Sequence, residues 1–157
     1  MTDKPFRRAV LHGMAQARPI WVLSDRVSVI GHLEDQDLYI ADVTVPPGGG
    51  TPPHMHPAPE ILRVLDGTIL FWSETDKGAL EVQAKPGDVF TVPGGVPHGY
   101  RNAGDEDARM MLIADRRMVD FFRDAGSPVA PPPGPPSEED IGQVMKAAAR
   151  HGFTILV

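Results

Sequence analysis

Apolar residues along this chain come in short runs separated by breaks rich in glycine, proline and aspartate. Residues 20–23 are a first apolar run, and residues 26–30 alternate in part. Residues 38–45 alternate clearly. Tyr39, Ala41, Val43 and Val45 share one face, and Leu38, Ile40, Asp42 and Thr44 the other, because successive side chains of a strand point to opposite sides. In residues 60–65, Glu60, Leu62 and Val64 share a face, which sets a carboxylate in an apolar row. Asp66-Gly67 is a hairpin signal, with residues 68–72 as the return strand. Turns at 75–78, 85–88 and 93–95 then separate further strands at 80–83, 89–92 and 98–102, and residues 108–114 close the series. Period-two runs between frequent turn signals predict an all-β sandwich or barrel. No long helical pattern alternates with the strands, so a parallel α/β sheet is not expected.

The pattern changes after residue 115. Residues 118–125 have helical spacing and end at Gly126. Residues 127–136 hold six prolines and predict an extended connector, because proline removes a backbone donor and locks φ. Ser137 is a candidate N-cap, followed by Glu138, Glu139 and Asp140, whose charges suit a helix N-terminus. Ile141, Val144, Met145 and Ala148 follow at helical spacing, and Gly152 is the expected stop. Residues 153–157 are strongly apolar. They are expected to pack on the barrel or add a strand, in the same subunit or in a partner.

Composition narrows the chemistry. The 157 residues are read as one domain, with a barrel at about 20–115 and a helical, proline-rich extension at 116–157. There is no cysteine, which excludes disulfides, thiolate ligands and cysteine nucleophiles and fits a cytoplasmic protein. A net charge of −6 without a dense basic stripe argues against nucleic-acid binding. No apolar run has transmembrane length, and the polar residues 1–18 lack the apolar core of a signal peptide, so neither membrane insertion nor a leader is expected.

Two stretches carry candidate chemistry. The first runs from Gly48 to Gly67. His54 and His56 are two apart, so they can aim at one point from a strand, and Glu60 can join them if the chain turns through Pro57 and Pro59. The second runs from Gly87 to Asn102 and contains Pro93, Gly95 and His98. Together they resemble the two motifs of the cupin superfamily: Gly48, His54, His56, Glu60 and Gly67 fit the first, and Gly87, Pro93, Gly95, His98 and Asn102 the second. The likeness covers about residues 38–115. His12, His32 and His151 stand outside it and read as surface or packing residues. The glycines, Pro93 and Asn102 read as turn formers.

The resemblance implies a jelly-roll, a double-stranded β-barrel, holding one divalent transition metal on His54, His56, Glu60 and His98. Three imidazoles and a carboxylate suit Fe, Mn, Ni, Co, Cu or Zn and suit Mg or Ca poorly. Tyr39, Leu62, Trp72, Phe90 and Tyr100 are candidate linings of a substrate pocket. Within the superfamily the layout is similar to small single-domain proteins of the quercetin-dioxygenase type. The implied activity is a dioxygenase acting on a small aromatic or enol-type molecule, with Glu60 both ligand and catalytic base. A metal-dependent isomerase, cyclase or lyase, and a non-catalytic small-molecule binder, are the alternatives. A homodimer is expected, with the C-terminal tail as the segment to exchange.

Overall fold

The computed structural model describes residues 8–156; the sequence readings for residues 1–7 and Val157 lie outside them. Among the described residues eleven strands form two antiparallel sheets. They are β1 (Ile20–Val22), β2 (Asp25–Leu33), β3 (Leu38–Val45), β4 (Gly50–Met55), β5 (Glu60–Asp66), β6 (Ile69–Thr75), β7 (Gly78–Ala84), β8 (Val89–Val92), β9 (His98–Arg101), β10 (Ala108–Ala114) and β11 (Thr154–Ile155). One sheet has the order β1-β2-β3-β10-β5-β8 and the other β11-β4-β9-β6-β7. This is a jelly-roll built of two facing sheets.

The alternating rows meet between the sheets. Tyr39, Ala41, Val43 and Val45 of β3, and Leu62 and Val64 of β5, are buried, as are Met110 and Leu112 of β10 between them. Phe71 and Ile69 of β6 close the core from the second sheet. Register is fixed because a one-residue slip would turn each of these rows to solvent.

Four features bring the motif residues together. Gly50 has φ +138°, and a Cβ there would lie 2.2 Å from the Tyr100 carbonyl, so only glycine lets β4 lie this close to β9. The β4–β9 register then shifts between Thr51 and His54. Thr51 pairs with Tyr100 and His54 with His98, so three residues of β4 span two of β9. This bulge lets Thr51 and His54 share a face although they are an odd number apart. The loop after β8 also rests on the first motif: the Gly95 amide donates to the His56 carbonyl at 2.8 Å, and Gly94 packs where any Cβ would strike the Pro57 carbonyl. Asn102 acts as a staple, donating to the carbonyls of Val45 and Glu106 and accepting from the Gly104 amide.

The extension is helical at both ends of an extended connector. Helix α1 (Arg116–Ala125) starts earlier than its apolar spacing suggests, because Asp115 caps it by accepting from the Arg117 amide. Helix α2 (Glu138–Arg150) is capped by Ser137, which accepts from the Asp140 amide. Gly152, at φ +72°, turns the chain into the tail. There β11 pairs with β4 of the same chain, with Ile155 opposite His54 and Thr154 opposite Met55. Among the described residues no helix is long and apolar enough to cross a membrane.

Candidate metal centre

His54 sits near the end of β4, His56 just beyond it, His98 at the start of β9 and Glu60 at the start of β5 in the opposite sheet. All four are buried, His98 to 1% exposure. The nearest ring nitrogens of the three histidines lie within 4.8 Å of one another. Glu60 Oε1 is 2.8 Å from His98 Nε2 and 3.8 Å from His56 Nε2.

Each imidazole is oriented by its own loop. Nδ1 of His54 faces the Pro52 carbonyl at 2.8 Å, that of His56 the Ala58 carbonyl at 2.7 Å, and that of His98 the Val96 carbonyl at 2.8 Å. A carbonyl only accepts, so Nδ1 carries the proton in each ring and Nε2 keeps its lone pair. This is how metal-binding histidines are held in one tautomer.

The inward atoms fit a cation. His56 Nε2 is buried with no hydrogen-bond partner, a costly state for a polar atom. His98 Nε2 and Glu60 Oε1, both acceptors in the neutral tautomer, stand 2.8 Å apart, and a shared cation relieves their repulsion. Nitrogens bound at about 2.1 Å to one ion lie up to about 4.2 Å apart, so the three rings need only a small adjustment. Three neutral imidazoles and one carboxylate form a borderline donor set for a first-row divalent ion.

Burial, then the neighbouring His98 ring, pulls the His54 pKa down to about 4, and burial also lowers that of His56. Both rings therefore stay uncharged at neutral pH, as ligation requires.

A cavity of about 160 Å³ opens onto this centre. His54, His56, Glu60, Leu62 and Tyr100 all line it. Tyr39, Trp72 and Phe90 do not, and the reason is strand geometry. Phe71 takes the inward position on β6, so Trp72 turns outward into a surface groove with Leu70, Glu81 and Arg101. Phe90 lies inside the barrel but on edge strand β8, stacked on Phe71 at 4.3 Å between ring centroids. Tyr39 is buried at the far end of β3, opposite Ala114 and His32.

The extension supplies lining that strand patterns could not reveal. Met118, Phe121 and Phe122 of α1, Ile141, Val144 and Met145 of α2, and Phe153 and Ile155 of the tail all face the cavity. Phe153 stacks on Phe121, with centroids 4.1 Å apart, and packs on the His56 ring at 4.6 Å. The exposure of Ile141 and Met145, unusual for an apolar helix stripe, comes from their place at this mouth. His12 and His32 lie against each other away from the centre, and His151 reaches Asp124 at 3.0 Å.

Asp25 is a further buried carboxyl in the cavity wall. It accepts from the Tyr100 hydroxyl at 2.7 Å. Burial raises its pKa to about 6, a rise moderated by Tyr100, the Gly50 amide and Ser24. A carboxyl with a raised folded pKa stabilises the fold below its unfolded value of 3.8 and loses that contribution as pH climbs through about 6. His54 acts in the opposite sense. Its depressed pKa contributes stability above 6.5 that is lost as pH falls through about 4. The two windows overlap and offset each other, so a variant is needed to separate them. Asp25→Asn should gain on the order of 3 kcal/mol relative to wild type between pH 3.5 and 7.5. Denaturant unfolding of metal-free protein at both pH values checks this; a difference independent of pH would contradict it.

Comparison with known proteins agrees with this architecture. Residues 41–114 match the cupin domain family. Germin-like protein subfamily 2 member 1 of Arabidopsis thaliana is 36% identical over 99 residues, covering 62% of this chain and 45% of that protein. The chain spans less than half the length of that relative. A solved recombinant oxalate oxidase in complex with glycolate is 25% identical with a TM-score of 0.50, covering 59% of this chain and 51% of that one. An RmlC-like cupin from Shewanella frigidimarina has the same fold, with a TM-score of 0.58 at 16% identity, over 69% of this chain and 91% of that one. With the jelly-roll, the two motifs and the inward-facing histidines in place, the domain at residues 41–114 belongs to the cupin superfamily.

Proposed function

We propose that this protein is a metal-dependent dioxygenase acting on a small, largely apolar molecule with an enol or phenol oxygen. The observation that carries this reading is a buried three-histidine group, beside a carboxylate, at the wall of an apolar cavity. The likeness to an oxalate oxidase held in complex with glycolate supports an oxidative reaction.

His54, His56, His98 and Glu60 would hold the metal. When bound, the ion supplies Lewis acidity to an oxygen of the substrate. The rest follows from the chain's own groups. Glu60 lies within the centre, with Oε1 directed at His98, and its carboxylate would take the proton of the substrate hydroxyl. Leu62, Leu112, Val43 and Phe121 exclude water from the reacting face. The reaction balances without an external reductant: the enolic carbon–carbon bond breaks, and both atoms of dioxygen enter the products.

The test is turnover of a flavonol and simple-enol panel by metal-reconstituted protein, with and without oxygen. Uptake of one dioxygen per substrate, at one metal per chain, is expected. Equal turnover under anaerobic conditions would replace the reading with an isomerase, cyclase or lyase. Stoichiometric binding without product would make the protein a non-catalytic binder.

A further inference from the structure

Among the described residues, no lysine or arginine lines the cavity at the metal centre. Apart from the histidines, its charged lining is Glu60 and Asp25, both carboxyl groups. An anionic group of a substrate, placed away from the metal, would therefore be buried without a partner, which is costly. The wall beside the centre is aromatic. Phe153 packs on the His56 ring and stacks on Phe121, which lies beside Phe122, at centroid separations of 4.6, 4.1 and 6.0 Å. This row leads from the centre to α1.

Helix α2 carries the apolar wall to the mouth. Its C-terminal half is anchored. Ala147 and Ala148 are buried, Arg150 donates twice to Asp124 of α1 at 2.8 and 2.9 Å, and His151 meets the same carboxylate. The N-terminal half is left bare. Ile141 and Met145 line the cavity yet are 43% and 47% exposed, with half-buried Val144 between them. The three stand at i, i+3 and i+4 and so share one face of the helix. Large apolar side chains that face a cavity and stay exposed mark a surface for an apolar ligand group.

Size decides which part of a substrate reaches that surface. A dry apolar cavity of about 150 Å³ accepts one benzene ring, and this one measures about 160 Å³. One ring with its oxygen at the metal fills it, and a longer substituent extends to the mouth. We infer, resting on the metal-centre reading, that Ile141, Val144 and Met145 are specificity-determining residues that take the alkyl substituent of an uncharged enol or phenol. Each methylene laid against them leaves water and covers their exposed faces. A carboxylate at the same end of the substrate is disfavoured, because it meets apolar side chains and no cation.

The probes are phenol, 4-methylphenol, 4-ethylphenol and 4-propylphenol, with 3-(4-hydroxyphenyl)propanoate as the charged counterpart of the last. Affinities are measured without oxygen at pH 7.5, by calorimetry on metal-reconstituted and metal-stripped protein. In wild type each added methylene should tighten binding about threefold to fourfold. The propylphenol should be preferred over the propanoate by about tenfold or more. Ile141→Ala combined with Met145→Ala should cut the gain per methylene to less than about twofold and leave the affinity for phenol unchanged. Both side chains are exposed, so these variants should fold. Met145→Lys should reduce the preference for the uncharged probe severalfold, by supplying the missing cation. Stripping the metal should weaken every phenol and leave the gain per methylene in place. Phenol affinity indifferent to the metal, with that gain intact, would overturn the metal-bound oxygen and leave the α2 surface standing. No gain with chain length in wild type, a gain unmoved by the double variant, a charge preference unmoved by Met145→Lys, or no binding of any probe would overturn the assignment of α2.

Discussion

His98→Ala is expected to lower metal affinity by more than roughly 100-fold, since even the outer partners of metal ligands are worth 10–100-fold. His98 is the ring in hydrogen-bond range of Glu60 and 1% exposed, so its loss removes one candidate ligand and the histidine nearest to Glu60. The fold should survive, because the β4–β9 ladder is built from backbone bonds and the His98 ring contributes none. Metal content by elemental analysis after reconstitution, with circular dichroism as a check on folding, reads both halves of the result. His54→Ala should act in the same direction. Its Nδ1 faces only the Pro52 carbonyl, so the backbone it leaves is free to take water near the cavity. Full metal occupancy in both variants would mean that the histidines are not the ligands.

The second large effect should come from a residue outside the motifs. Phe153→Ala removes a ring that is buried against both α1 and the centre, in stacked contact with Phe121 and packed on His56. Loss of such a ring from a packed site costs about 3–5 kcal/mol. The cost should appear in denaturant unfolding. A second consequence follows from the His56 contact: the imidazole keeps the Ala58 carbonyl and the neighbouring histidine rings but loses the aromatic face that packs on it, and metal affinity should fall about tenfold. Competition with a metal indicator measures that fall. Phe153→Leu should recover most of the stability and less of the metal affinity, because a branched chain fills volume without a flat face for the ring. A variant with normal metal affinity and normal stability would show that the tail only rests on the barrel.

Much of the fold was legible because strand alternation is a local property. The inward row of β3 follows from its own sequence, as do the Glu60 row of β5 and the hairpin at Asp66-Gly67. The ligand residues were legible for a different reason. Their chemistry is rare, and their spacing is set by loops whose glycines and prolines are equally recognisable.

Parity was the first thing local pattern could not supply. Phe71 and Trp72 are adjacent and both aromatic, so either could face inward; the ladder to β9, with Phe71 opposite Tyr100, made the choice. The bulge before His54 was equally hidden, since it depends on how β4 pairs with a strand more than forty residues later.

Local sequence was enough for most of the strands and for the cap at Ser137, because each depends on neighbours within a few residues, and the two motifs were enough for the four candidate ligands; the earlier start of α1 at its Asp115 cap was not read from it. Only the tertiary structure decided what surrounds the ligands. It folded α1, α2 and the tail over the cavity mouth, and it turned Phe153 onto His56. It also buried Asp25 beside Tyr100, residues 75 apart in the chain. Contacts of that kind depend on the packing of distant segments, and no local periodicity encodes them.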